Sequence, residues 1–298
     1  MLPSSPALAQ PVFRFAPSPN GRLHLGHALS ALTNQHFAAA MGGRLLLRIE
    51  DIDRQRCTPA LEQALHEDLA WLGLTFAPQV RRQSEHFDDY AATLDELRRH
   101  GLLYPCFGSR EAVRAAVCAQ EAASGRPWPV DPDGVALYPG MGRALDKAEA
   151  QARMAAGEPH VLRLDMGRAL AMAAAGLSYR VFDASGSSQI VAAQPARWGD
   201  VVLARKDVPA SYHLCVVVDD ALQGVTHVVR GRDLEAATDI HVLLQRLLGL
   251  PTPLYHFHEL LLDEAGRKLA KSRQSESLAD LRMRGLTAAA LRRQLGFA

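Results

Sequence analysis

Two histidines spaced by three, His24 and His27, stand in PSPNGRLHLGH at 17–27, with Gly26 between them and an apolar stretch behind. A loop about to become a helix at this point has three attractions for an anion. Small Gly26 lets a ligand approach the backbone, the helix start favours negative charge, and imidazole N–H groups donate to oxygen. Together they suit the phosphates of ATP, although the same residue types also suit a His-rich turn or a two-histidine metal site. Far downstream, RKLAKS at 267–272 sets Lys268 and Lys271 three apart in a loop preceded by Gly266. Two flexible ammonium groups can follow a triphosphate as charge moves onto a pyrophosphate leaving group. Alone, K-x-x-K is more often a solvated basic turn, so the weight lies on the two motifs occurring in one chain, in this order.

Such residues need elements to bring them together. PVFRFAPSPN at 11–20 reads as a strand running into a Pro-punctuated turn, and an apolar helix is predicted from near His27. RLLLRIE at 44–50 is a continuous apolar run, the pattern of a strand buried on both faces, and strand–helix–strand implies a parallel crossover. Thr58 as N-cap, Pro59 at the first helical position, Leu61, Leu65, Leu69 and Leu72 on one face and Gly73 at the end define a further helix. Another is predicted over 88–100, ending before Gly101. From 105 to 195 the chain turns rich in Pro and Gly, with Ala-rich helical stretches, and reads as an insertion. Strands are predicted again at 214–218 and 225–230, then a helix with Ile240, Leu243, Leu244, Leu247 and Leu248 inward, stopped by Gly249 and Pro251. The expected units are therefore 1–104 and 196–250 as two halves of one sheet domain, 105–195 between them, and a short helical tail over 251–298.

The 298 residues are 48% hydrophobic and 22% charged, ordinary for a soluble globular protein. Lys and Arg number 33 against 32 Asp and Glu, a net charge of +1 that excludes the strongly basic field of a general nucleic-acid binder. Any site for a polyanion must be local, and residues 263–298, with eight Lys/Arg against four Asp/Glu, are one candidate. The four cysteines, at 57, 106, 118 and 215, form no C-x-x-C pair, which argues against a disulfide framework. Neither a basic leader nor a membrane-length apolar run is present, so a cytoplasmic location is expected, with no membrane partner.

HLGH and KLAKS, together with SPNG and VVVDD, resemble the two signature motifs and neighbouring blocks of the class I aminoacyl-tRNA synthetases. FAPSPNGRLHLGH, LLLRIEDIDRQR, SYHLCVVVDDALQGVTHVVRG and the lysine loop are similar, in order, to blocks of the glutamyl branch, and cover most of the chain outside the insertion. The resemblance implies an α/β fold, a Rossmann-type parallel sheet split by an α+β insertion, and a ligase that activates L-glutamate with ATP and Mg²⁺. It implies that Arg14, Ser18, Glu50, Tyr212 and Arg230 hold glutamate. It also implies that Pro17, His24, Gly26, His27 and Lys271 hold ATP, and that His24, His27, Lys268 and Lys271 stabilise the transition state. Two guanidiniums and one acid suit a ligand with two carboxylates and one ammonium; without the flanking blocks, a mere ion pair between Glu50 and an arginine would be the simpler reading.

Twenty-six residues follow Ser272, too few for an anticodon-binding domain. The resemblance is therefore to a stand-alone catalytic paralogue, which would activate glutamate without RNA and attach it to queuosine at the wobble position of tRNA(Asp), the anticodon loop lying at the active site. Arg273, Arg282 and Arg284 are candidate contacts to that loop's phosphates. The alternatives are a truncated glutamyl-tRNA(Glu) synthetase, a nucleotidyltransferase or ligase acting on a small acceptor, and a non-catalytic RNA-binding relic. Two departures stand out. Members of the group commonly hold zinc through Y-x-C-x-C and a later Tyr and Cys, whereas here YPCFGSR has Gly108 and LYPGMGR has Gly142 at cysteine positions. Cys106 and Tyr138 are then remnants of a metal site, no zinc is expected, and Cys118 is expected as a small apolar residue on a helix near 111–123. Ala270 stands in the lysine loop where the family often has Ser.

Overall fold

The computed structural model describes residues 10–206, 208–261 and 276–297. VFRF forms β1 (Val12–Phe15), buried at every position. The chain crosses over through α1 (Leu25–Ala40) to β2 (Arg44–Ile49), which pairs parallel to β1 from Val12 opposite Arg44 to Phe15 opposite Leu47. At the sharp entry to β2 a Cβ on Gly43 would lie 2.7 Å from the Pro11 carbonyl, so glycine is required by space. α2 (Pro59–Trp71) begins as predicted, with the Thr58 hydroxyl accepting from the Leu61 N–H and Pro59 in the first turn. The short β3 (Arg81–Arg82) adds parallel to the outer side of β2, and α3 (Phe87–Arg99) buries Tyr90, Leu94 and Leu97 before Gly101 at φ +68° ends it.

β4 (Leu103–Cys106), α4 (Arg110–Ser124), α5 (Lys147–Ala155), β5 (Val161–Leu164), α6 (Met166–Ala173), β6 (Ser178–Phe182), β7 (Ser188–Ala192) and β8 (Val202–Ala204) follow. α7 (Tyr212–Leu222), β9 (His227–Gly231), α8 (Thr238–Leu247), β10 (Leu254–His258), α9 (Leu278–Met283) and α10 (Ala288–Gln294) complete the described elements. The larger sheet runs β3-β2-β1-β9-β10-β6-β7, parallel throughout except for the β6/β7 hairpin, and the smaller is the antiparallel β4-β5-β8.

The sheets differ from the expected elements in three places. LCVVV at 214–218 is not a strand but the middle of helix α7. An apolar run this short is compatible with a buried strand or a buried helix, and the tie is broken by Ser211, whose hydroxyl caps the Leu214 N–H, and by burial all round from Leu214 to Asp220. Second, the stretch after Pro251, expected as tail, supplies β10 beside β9, with Tyr255 and Phe257 buried on the strand alternation. Third, β6 and β7, within 105–195, join the larger sheet, while the smaller sheet draws strands from 103 to 204; the sheets do not divide at 105 and 195.

The tail packs back on the start of the chain. Leu278 and Leu291 are fully buried against Leu23, Leu65, Leu69 and Leu72, and the Leu278 N–H donates to the Leu23 carbonyl at 2.8 Å. Ser277 forms a bridge with His24, so the chain beyond the lysine loop is fixed next to the first histidine motif. Among the described residues no helix is long and apolar enough to cross a membrane.

Candidate active site

His24 is the N-cap of α1, which begins two residues before the expected start near His27, and its Nδ1 accepts from the Gly26 N–H at 3.1 Å. His27 Nδ1 in turn accepts from the His24 N–H at 3.1 Å, making a capping box from two imidazoles. A ring accepting at Nδ1 carries its proton, when neutral, on Nε2. Both rings thus present an Nε2–H donor, and the cap that starts the helix also fixes their tautomers. Gly26 has a local reason too: a Cβ there would sit 3.0 Å from the His24 ring.

A cavity of about 540 Å³ opens at the carboxyl ends of β1, β2 and β9, where open parallel sheets bind ligands. Arg14, Pro17, Ser18, His24, Gly26, His27, Glu50, Tyr212 and Arg230 all line it. Lys268 and Lys271 lie outside the described residues, as does Arg273. The loop after β1 is tied to the end of β2 by the Glu50 N–H donating to the Pro17 carbonyl, 3.1 Å, and Ser18 Oγ meets Cys57 Sγ at 3.6 Å.

Beneath the cavity is a buried charge cluster that joins Glu50 to two acids not singled out as site residues, Asp219 and Asp220. Asp220 Oδ1 accepts from Arg14 Nε at 3.1 Å and from fully buried Arg48 at 2.7 Å. Arg48 also reaches Glu50 Oε1 at 3.2 Å. Asp219 takes Arg81 at 2.6 Å, Gln83 at 2.8 Å and the Tyr90 hydroxyl at 3.0 Å. Burial opposes ionisation of Asp220, but the Arg14 and Arg48 guanidiniums prevail and hold its pKa below the usual carboxylate range. Glu50 goes the other way, its pKa raised by burial despite Arg48 and Arg14. The signal in the sequence was the acid pair DD closing the apolar run of α7, with RLLLR placing Arg48 inside a strand. Arg230, on β9, is placed differently: its partners are Thr238 and His241 of α8.

In the smaller sheet, buried Cys106 accepts at Sγ from the Tyr138 hydroxyl at 3.0 Å, and that hydroxyl accepts from the Gly142 N–H at 2.8 Å. Arg163 lies over the Tyr138 ring, 3.7 Å from its centre. The Tyr138 phenol is pushed up to about 12, chiefly by burial and then by its bond to Cys106. One thiol and one protonated phenol are not a tetrahedral zinc set, so the residues present do not fit the metal that the resemblance implies. Nor could a side chain be added at 142 as the backbone stands, since its Cβ would lie 2.8 Å from the Pro105 carbonyl and 3.3 Å from Cys106 Cα. Cys118 is on α4 as expected but exposed.

Arg282 and Arg284 are engaged within the chain. Arg284 pairs with Glu276 at 2.5 Å, and Arg282 is 3.9 Å from buried Asp68, near the Trp71 ring. By contrast Arg54, Arg110 and Arg205 line a cleft of about 260 Å³ beside Phe87, and none of the three forms an ion pair among the described residues.

Residues 11–296 match the family model for class I tRNA synthetases (E and Q), catalytic domain. A Rhodobacter capsulatus protein named glutamyl-Q tRNA(Asp) synthetase is 45% identical over 287 residues, 96% of this chain and 99% of that one. A Symbiobacterium thermophilum protein of the same name is 39% identical over 285 residues, 91% of this chain and 81% of its own length. The crystal structure of glutamate-tRNA synthetase from Elizabethkingia anophelis superposes with a TM-score of 0.71 at 27% identity, covering 93% of this chain and 54% of that one; the chain spans about half of it.

Proposed function

The chain belongs to the catalytic-domain family of class I tRNA synthetases for glutamate and glutamine and is a ligase, and from that premise we propose that it activates L-glutamate with ATP in the absence of RNA and transfers it to queuosine at the wobble position of tRNA(Asp). The observation carrying the first half is the single cavity that gathers Arg14, Arg230, Glu50 and Tyr212 with both histidines of the α1 cap. Arg230 would take a substrate carboxylate, Arg14 would add a second positive group, and Glu50 with the Tyr212 hydroxyl would accept from the ammonium. The α-carboxylate oxygen then attacks the α-phosphorus, the bond to pyrophosphate breaks, and His24 and His27 donate from Nε2 to the phosphate oxygens as charge builds. Lys268 and Lys271 would follow the leaving pyrophosphate, and magnesium would arrive on ATP, held by phosphates and water. In the second step a ring hydroxyl of the modified base attacks the carbonyl carbon and AMP departs.

The names of the two relatives, covered over 99% and 81% of their lengths, support the acceptor. Arg54, Arg110 and Arg205, which share one cleft and form no ion pair among the described residues, are the cations we assign to the phosphates of the anticodon loop, in place of Arg282 and Arg284, and binding through them would weaken with salt. Glutamate-dependent ATP/pyrophosphate exchange without RNA tests the activation step. Radiolabelled glutamate offered to tRNA(Asp) with queuosine, with guanosine in its place, and lacking the 3′ adenosine tests the transfer. Charging of the queuosine form that survives loss of the adenosine is expected; loss of charging on the truncated RNA would assign glutamate to the acceptor end and refute the reading.

A further inference from the structure

Arg230 is 4% exposed, and among the described residues its hydrogen-bonding partners are a hydroxyl and an imidazole, with no carboxylate. Its Nη2 donates to Thr238 Oγ1 at 2.6 Å and its Nη1 meets His241 Nδ1 at 3.1 Å. Behind it, His241 Nε2 lies 3.2 Å from His213 Nδ1. A guanidinium can only donate, so His241 must accept at Nδ1, be neutral, and carry its proton on Nε2. That proton has one ring nitrogen to go to, His213 Nδ1, which must therefore be an acceptor as well. Two tautomers follow from the donor-only character of one arginine. A second proton on either ring would set N–H against N–H. The environment agrees: burial, reinforced by the Arg230 charge, drives His241 well below the ordinary histidine range and His213 down to about 4.

We propose that the His241–His213 pair is a neutral relay that orients Arg230 towards a substrate carboxylate while leaving its positive charge uncompensated, and so selects a carboxylate over the corresponding amide. His241 and His213 are positioning residues in this scheme, since neither needs to touch substrate. The inference rests on the glutamate reading of the cavity. Its physical basis is the contrast with Arg14 and Arg48, on whose guanidiniums Asp220 converges. A carboxylate at the position of His241 would hold Arg230 as firmly but would cancel the charge the ligand needs. A neutral acceptor holds the geometry and leaves a buried cation short of an anion, which the ligand supplies. An amide ligand brings no such charge.

Glutamine and glutamate at position 241 are matched in size and differ in charge, so they isolate the effect. In His241→Gln the amide oxygen can accept from Arg230 and the amide N–H₂ can donate to His213. The glutamate KM in pyrophosphate exchange is expected within about threefold of the parent's, with glutamate still preferred over glutamine. In His241→Glu the glutamate KM should rise about tenfold to a hundredfold, the scale of an unfavourable change at one buried charged contact. The ATP KM should stay within about twofold and the preference over glutamine should shrink. His241→Leu should also raise the glutamate KM, by removing the acceptor. Equal glutamate KM values for the Gln and Glu variants would overturn the relay, as would an ATP KM rising in parallel with that for glutamate. Calorimetry of the unaltered protein with glutamate separates the two ideas: no binding there overturns the reading of the cavity, whereas binding with indistinguishable Gln and Glu variants overturns the relay alone.

Discussion

Arg14 and Arg230 face one cavity from neighbouring strands, carry the same charge and are almost equally buried, yet they are held by opposite means. Arg14 shares Asp220 with Arg48, inside a cluster that also includes Asp219, Arg81 and Glu50. Arg230 has a hydroxyl and a neutral imidazole. The first arrangement meets much of its own charge, so Arg14 faces the ligand as a rigidly held donor; the second is electrically incomplete among the described residues and suits a site that a ligand completes. A buried cation says little until its counter-charges are traced.

Removing one member from each side gives the largest expected contrast. Asp220→Ala leaves Arg14 and Arg48 buried without their shared acid, a loss of about 3–5 kcal/mol, which is a large part of the ~5–15 kcal/mol that holds a domain folded. Thermal unfolding of that variant should show a collapse in Tm or no folded protein. Arg230→Met should do the reverse, with Tm unchanged or higher because an uncompensated charge has gone, while kcat/KM for glutamate falls by about two to three powers of ten. A sharp loss of stability in Arg230→Met would break the distinction. Next in size, and aimed at the phosphates, His24→Ala and Lys271→Ala should each lower the exchange turnover by roughly two to three powers of ten with little change in glutamate KM, since they act on charge developing in the transition state.

How far this contrast could be read beforehand depended on what kind of signal each residue left. The β1–α1–β2 crossover, the caps at Thr58 and Gly101, and the residues converging on the cavity were legible, because local chemistry and recognisable blocks mark them. α7 was not, because LCVVV is apolar in both strand and helix periods and burial on all sides erases the periodicity. β10 was missed for another reason: LYHFH does alternate, with Tyr255 and Phe257 on the buried face and both histidines on the other, but the run is only five residues long and follows directly on the turn-like PTP at 251–253. The roles of Asp220, Thr238 and His241 depend on contacts across 172, 8 and 11 residues of chain, and no local pattern encodes which neighbour an arginine will find.

Acid should act on the two sides differently. Glu50 has its pKa raised by burial, so it takes up a proton at higher pH than an exposed glutamate would. Its ionised form is the one that accepts from the substrate ammonium; the glutamate KM is therefore expected to rise as pH falls through that raised value, and Glu50→Gln should give a high KM that does not vary over the same range. The histidine pair affects stability instead. His213 is held at about 4, whereas in the unfolded chain it titrates near 6.5, so below that value the unfolded state binds the extra proton and stability falls until about pH 4. From His213 alone the loss is about 3 kcal/mol at pH 4, and His241 adds to it in the same direction. Denaturant unfolding at pH 7 and pH 5 should show the decline, and His213→Gln should flatten it; an unchanged slope would mean that the pair is not neutral in the folded chain.

The smallest effects are expected in the insertion, which offers a third way of holding a polar side chain. Tyr138 is fixed by the Gly142 N–H, the Cys106 thiol and the face it gives to Arg163, with no ion required. Purified protein is expected to retain well under one zinc per chain after dialysis, and chelator should leave Tm unchanged. The two glycines at the cysteine positions should then respond differently to substitution. At Gly108 an added Cβ meets nothing closer than 3.8 Å, so Gly108→Cys should shift stability by no more than about 0.5 kcal/mol. At Gly142 the Cβ would press on the Pro105 carbonyl and Cys106 Cα, so Gly142→Cys should cost about 1–3 kcal/mol as β4 gives way. One zinc per chain in the unaltered protein would show instead that Cys106 and Tyr138 find further ligands. If added zinc stabilised Gly142→Cys but not the parent, the corner would be a metal site closed by that single glycine, because the cysteine's binding energy would have to exceed the strain of moving the strand.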